Sequence, residues 1–454
     1  MTNLRFGRDS IAERQMADRI HPWWAAGFWA LAMLAPASAQ NEQFIPVLAY
    51  RTGVYAVSGV PYANGEVDYY SLVNERDGGI NGVKIVFAEC ETGYATDRGL
   101  DCYERLKRNG PTGAAFVVPR STGVTVLLTD RAYTDKVPLL TPGYGRAASK
   151  DGSVFMWNFP LLGTYWSGAD IAIQHVGKEI GGVDKIKGKK IALLFHDSPY
   201  GKEPIPALLA LAHKYGFDFR SIPVPHPGLE QEPQWRTIRQ DKPDYVLLWG
   251  WGAMNSATIK HAAAVSYPRD RMIGVWWSGA DADVKPAGDD AVGYKALMLQ
   301  HGSGKFPVHA GIERYVYAKG MGAGKAEEIG ELLYNRGLIG AMLGVEGIRK
   351  AQEKFGRRPL TGEQVRWGLE NLDLDEARLK ELGFEGMMRP IKISCADHEG
   401  ARTARIQQWN GKTWNVISDW YTADETITAP LVKEVSTKYA TEKKIIPRDC
   451  SKEN

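Results

Sequence analysis

Catalytic signatures are what this 454-residue chain lacks. There is no GxSxG elbow to present a serine nucleophile and no Gly-rich phosphate-binding loop. Histidine is scarce, at nine, and His226, His301 and His309 lie in Pro- or Gly-rich contexts without metal-ligand spacing. Asp281, Asp283, Asp289 and Asp290 cluster, but not at the spacing of a calcium loop. The net charge is only +3, which excludes a nucleic-acid surface. With four cysteines, none closely spaced or beside a partner histidine, a thiol enzyme or a metal knuckle is excluded as well. No cofactor is expected. Outside residues 22–35 no run is apolar enough to cross a bilayer.

The exception at the N-terminus has its own explanation. Arg5, Arg8, Arg14 and Arg19 precede the apolar run PWWAAGFWALAMLA (22–35), and Ala37-Ser38-Ala39 has the small-x-small form of a cleavage site. Residues 1–39 therefore read as a secretory signal peptide, and the mature chain as an exported, periplasmic protein. In an oxidising compartment an even number of cysteines favours disulfides. Cys90 and Cys102 flank a loop and a helix start, so a local bridge is expected between them. Cys395 and Cys450 would then tie down the C-terminal tail.

The chain is built on a repeated unit, clearest at KKIALLFHDSPYGKEPIPALLALAHKYGFDF (189–219). A continuous apolar run, a polar turn and a Gly-closed helical pattern make a buried parallel strand followed by its crossover helix. Units of this kind are expected from 44 to 159, with strands at 44–50, 83–88, 114–118, 137–140 and 155–159. They restart with a helix at 165–180 and strands at 191–195, 245–249, 272–276 and 296–299. Helices dominate from 307 to 371, and Asn410-Gly411 marks a hairpin within 391–418. This alternation predicts an α/β protein with two Rossmann-like lobes, parallel sheets and a crevice between them.

The fourteen tryptophans are unusual in number and in place. Tyr50, Tyr144, Tyr200, Trp249, Trp251, Trp276 and Trp277 all fall at or just past an expected strand end, where ligands gather in α/β sheets. Any one of them alone would be core packing. Ser121 and Thr122 open a helix whose free N–H groups favour an anion. Arg51, immediately after the first strand, is placed to hold a carboxylate in bidentate fashion. The pentapeptide Trp-Ser-Gly-Ala-Asp occurs twice, at 166–170 and 277–281, a coincidence that puts Trp and Ser near both crossover regions.

At NERDGGINGVKI (74–85), the Cys90–Cys102 segment, Ser121-Thr122, KVPLL (136–140), KKIALLFHDSPYGK (189–202) and DYVLLWGWGAMN (244–255), the chain resembles the type I periplasmic substrate-binding proteins of ABC importers. Within these it is similar to the branched-chain amino-acid (leucine/isoleucine/valine) receptors. The resemblance implies two lobes joined by a three-crossover hinge: 42–160 plus 300–390, and 161–299 plus 391–420, with 421–454 as a C-terminal tail. It implies no chemistry, but capture of a small ligand by lobe closure and delivery, as a monomer, to a membrane permease powered by a separate ATPase. Ser121 and Thr122 match the turn that holds the ligand carboxylate; Tyr144, Tyr200, Trp249 and Trp251 match its other loops. Amino-acid receptors carry an acidic residue after the next strand to meet the ammonium. Here that place reads Trp276-Trp277-Ser278-Gly279, which points away from an α-amino acid. With Arg51 and the aromatics, it favours an aromatic or apolar carboxylate, Trp277 and Ser278 included in the site. A soluble ligand-sensing module for a signalling partner is the alternative use of the same fold.

Overall fold

The computed structural model describes residues 41–302 and 304–453, so the expected signal peptide lies outside the described residues. The first lobe is built around short parallel strands. β1 (Glu42–Ala49) pairs along its whole length with β2 (Lys84–Glu91), and β3 (Leu139–Leu140) pairs with β4 (Asn158–Phe159). The expected strand at 114–118 joins these two pairs only through single bridges, Val47 to Val118 and Val117 to Leu139. Its residues are buried all the same, because an apolar run can lie between two strands without a full ladder.

The second lobe carries the longer sheet. β5 (Lys190–His196), β6 (Asp218–Val224), β7 (Tyr245–Trp249), β8 (Met272–Gly274) and β9 (Lys295–Met298) run parallel in the order 6-5-7-8-9. Every residue of β7, YVLLW, is buried, as a central strand covered on both faces requires. β10 (Asp373–Leu374) and β11 (Ile391–Lys392) form a small antiparallel pair of their own. β12 (Thr403–Trp409) then adds antiparallel to β9, with β13 (Trp414–Val416) and β14 (Tyr421–Thr422) beside it. The second sheet is thus mixed, its hairpin turning at Asn410-Gly411.

The segment 421–454 is more than a tail. Helix Glu425–Lys443 is capped by Asp424, which accepts from the Thr426 N–H. At its start Lys214 of the second lobe reaches Asp424 at 3.1 Å. Near its end Tyr439 and Lys443 both bond Asp130 of the first lobe. Beyond it, Cys450 is bridged to Cys395, and Cys90 to Cys102. The Cys395–Cys450 link spans 55 residues. In the chain-entropy account such a link restricts the unfolded chain by about 4 kcal/mol. Replacing both cysteines by serine should lower the unfolding free energy by up to that amount in a denaturant titration. An unchanged midpoint would show that the helix holds itself.

Candidate ligand-binding site

The strand ends of both lobes converge on a narrow cavity of about 20 Å³, room for little more than a water molecule with the lobes as close as they are here. The first lobe contributes Tyr50, Tyr62, Tyr94, Arg120, Ser121, Thr122 and Tyr144. The second contributes Tyr165, Tyr200, Trp251 and Trp277. Tyr50 follows β1 and Trp251 follows β7; Trp277 lies just past β8, and Tyr200 in the helical turn after β5. Tyr165 opens the helix Tyr165–Glu179 at the first crossover. Among the described residues no Asp or Glu lines the space.

Arg120 is the cation of the site. It sits in the left-handed region at φ 54°, which a non-glycine residue adopts at a cost usually met at functional turns. Its backbone N–H donates to the Tyr144 hydroxyl at 2.7 Å, which holds the turn that starts the helix Thr122–Asp135. Its guanidinium is buried, bonds Glu66 through one nitrogen and lies 5.0 Å from the Tyr62 ring centre. Burial is the largest single influence and opposes its charge, but Glu66, Tyr62 and Tyr50 together outweigh it and raise the pKa. Nε and Nη1 have no partner among the described residues. The hydroxyls beside it are already in use: Ser121 caps the helix by accepting from the Val124 N–H, and Thr122 accepts from the Gly145 N–H at 3.3 Å.

Two glycines set this geometry. The helices Ala56–Asp77 and Leu332–Phe355 cross backbone to backbone. A Cβ on Gly65 would stand 2.1 Å from the Tyr334 carbonyl oxygen, and one on Gly337 2.2 Å from that of Tyr62. The first helix thereby brings Tyr62 and Glu66 to Arg120, and the second brings Arg336 behind Trp277. Arg336 is buried with no carboxylate partner among the described residues. It donates to the side-chain amide oxygen of Gln300 and to the Pro142 backbone carbonyl, and stands 4.7 Å from the Trp277 ring centre. Burial pushes its pKa down to about 10, so it keeps its charge at neutral pH.

The lobes are closed on each other. The Gly143 carbonyl of the first lobe accepts both second-lobe indoles, Trp276 at 2.7 Å and Trp277 at 3.0 Å. Tyr55 pairs with His196 Nε2 at 2.7 Å, and burial holds that imidazole down to about 4, so it stays neutral. The Ala147 N–H donates to the Glu203 carboxyl at 2.6 Å. Burial raises Glu203 to about 7.

Seven of the residues expected from sequence therefore surround one space: Tyr50, Ser121, Thr122, Tyr144, Tyr200, Trp251 and Trp277. Three do not. Arg51 points away into a bidentate pair with Glu89, at 2.6 and 2.9 Å, and a bond to Asn64. The parallel register sets Val47 against Glu89, which places that acid beside the strand end. Trp249 is wholly buried as the last residue of β7. Ser278 is spent on the Gly250 carbonyl at 3.0 Å. Tyr62, Tyr94, Arg120 and Tyr165 were missed. Arg120 had a signal: it immediately precedes the serine that opens the helix.

Glu203 gives a pH test. Its native pKa is raised, so between about pH 4.5 and 7 the folded form holds a proton that the unfolded chain has released. Stability from this group therefore falls as pH rises through that window. Glu203→Gln removes the titration and keeps an acceptor for Ala147. The variant should gain stability relative to the parent as pH rises, read by thermal unfolding at several pH values. A difference that stays flat with pH would contradict the burial argument.

A family model described as periplasmic binding protein matches residues 42–413. A structure described as an ABC transporter permease from the Pseudomonas fluorescens group is 45% identical. It has a TM-score of 0.83 and covers 90% of this chain and 99% of its own. A branched-chain amino-acid ABC transporter protein from Thermus thermophilus, with bound valine, is 20% identical. Its TM-score is 0.71, with coverage of 87% and 99%. A solute-binding protein from R. palustris in complex with benzoate is 16% identical, with a TM-score of 0.62 and coverage of 84% and 98%. No protein of curated function matches the chain. The matched span takes in β1 to β12 and every residue around the cavity, and the chain belongs to the periplasmic binding protein family, the small-ligand receptors of ABC transporters.

Proposed function

We propose that this protein is an exported receptor that captures a small aromatic or apolar carboxylate between its lobes and presents it to the permease of an ABC importer. The lobes of this reading are 42–160 plus 300–390 and 161–299 plus 391–420. Residues 1–39 are removed on export, and the mature chain acts as a monomer. The observation that carries it is Arg120: a buried guanidinium with two unpartnered nitrogens, at a helix N-terminus, in an aromatic cavity. The lack of any lining carboxylate leaves an ammonium group without a counter-charge, which argues against an α-amino acid. Benzoate bound in a protein of similar fold supports the reading.

A thermal-shift screen of the mature chain, unfolded and refolded to strip carried ligand, tests the reading. An aromatic acid such as benzoate at a hundred times its Kd should stabilise the protein by about 2.7 kcal/mol, whereas leucine and valine should not. No shift from any aromatic acid, or a shift from leucine or valine alone, would overturn it.

A further inference from the structure

The polar atoms around the cavity demand more of a ligand than one carboxylate. Besides Nε and Nη1 of Arg120, the Trp251 indole N–H and the Tyr62 hydroxyl have no partner among the described residues. All three side chains line the cavity, with exposures of 4%, 4% and 2%. A buried donor left unsatisfied is costly, so each orphan describes a group on the ligand. Tyr62 lies against the Arg120 guanidinium and belongs to the same end. Trp251 belongs to the other lobe. It packs edge-on to Trp277 at 5.5 Å between ring centres and faces Tyr50 and Tyr94 of the first lobe at 6.4 and 6.2 Å. Its indole N–H has a single role, that of donor.

Charge around the cavity specifies the other half of the ligand. Arg120 is paired with Glu66, but Arg336 has no carboxylate partner among the described residues and lies 4.7 Å from the ring centre of Trp277. Arg336 therefore keeps a positive charge beside the cavity in a water-poor surrounding, where it acts strongly. The carboxyls felt by the second-lobe tyrosines, Glu203 near Tyr165 and Asp283 near Tyr200, are both raised to about 7 by burial and carry only part of their charge at neutral pH. With Arg120 lining the cavity and Arg336 behind Trp277, the surroundings favour an anion.

We infer that the ligand is an anion bearing a second hydrogen-bond acceptor away from its carboxylate, and that the Trp251 indole N–H selects for that acceptor. This rests on the carboxylate reading above and narrows it to acids carrying a hydroxyl, ether or carbonyl oxygen on the body. Trp251 is the specificity-determining residue, and Arg120 the anchor.

Isothermal titration calorimetry with benzoate, 4-methylbenzoate, 3-hydroxybenzoate and 4-hydroxybenzoate separates the two levels of the argument. At least one hydroxy acid should bind about tenfold more tightly than benzoate, and more tightly than 4-methylbenzoate, which has similar size and no acceptor. Trp251→Phe should bring that ratio close to one. The methyl comparison is made on the unaltered protein, so the test stands even if the variant does not fold. Benzoate and 4-methylbenzoate binding as well as both hydroxy acids would overturn this inference and leave the carboxylate receptor intact. So would a preference that survives Trp251→Phe. Binding of none of the four acids would overturn both.

Discussion

A guanidinium buried among aromatic rings needs partners for its nitrogens and for its charge, and Arg120 finds only some of them within the protein. Glu66 supplies one carboxylate, held by Tyr70 at 3.0 Å. The remaining nitrogens, Nε and Nη1, have no partner among the described residues, and the side chain lines the cleft. The backbone strain at Arg120, the close crossing of two helices at Gly65 and Gly337, and the cap at Ser121 all serve to put it there. A buried cation with incomplete partners is tolerable where a ligand completes them. On the proposed reading, this is what makes the aromatic box a binding site and not merely a packed core.

The second lobe contributes surface and closure in place of charge. Its sheet delivers Trp251 and Trp277 at successive strand ends, and its first helix delivers Tyr165. One carbonyl, that of Gly143, gathers both neighbouring indoles and so marks where the lobes meet. The C-terminal helix touches both lobes away from this mouth, through Lys214 on one side and Asp130 on the other. Closure is thus coupled at two places: at the ligand by aromatic contact, and behind it by ion pairs.

Much of this was legible in the sequence, and the rest was hidden for identifiable reasons. The unit at 189–219 is a strand, a turn and a helix as its apolar run and closing glycine indicate, although its turn already forms a helical step at Pro199–Lys202. Strand ends carrying aromatics were visible because their period and punctuation are local. Arg51 and Arg120 show the limit. Both are arginines just after an apolar segment, and nothing local distinguishes them. The distinction comes from the neighbouring strand: β2 sets Glu89 and Glu91 beside Arg51 and occupies it, whereas the loop at Arg120 turns inward to a helix-borne glutamate 54 residues earlier. The helix at 425–443 escaped notice because its apolar residues are sparse and face two separate surfaces.

A crystal structure of the mature protein with a bound aromatic acid tests the central claim most directly. The account predicts the acid enclosed between the lobes, its carboxylate on Arg120 Nε and Nη1 and its body between Tyr50, Trp251 and Trp277. A ligand bound outside this cavity, or inside it with the carboxylate turned away from Arg120, would contradict the account.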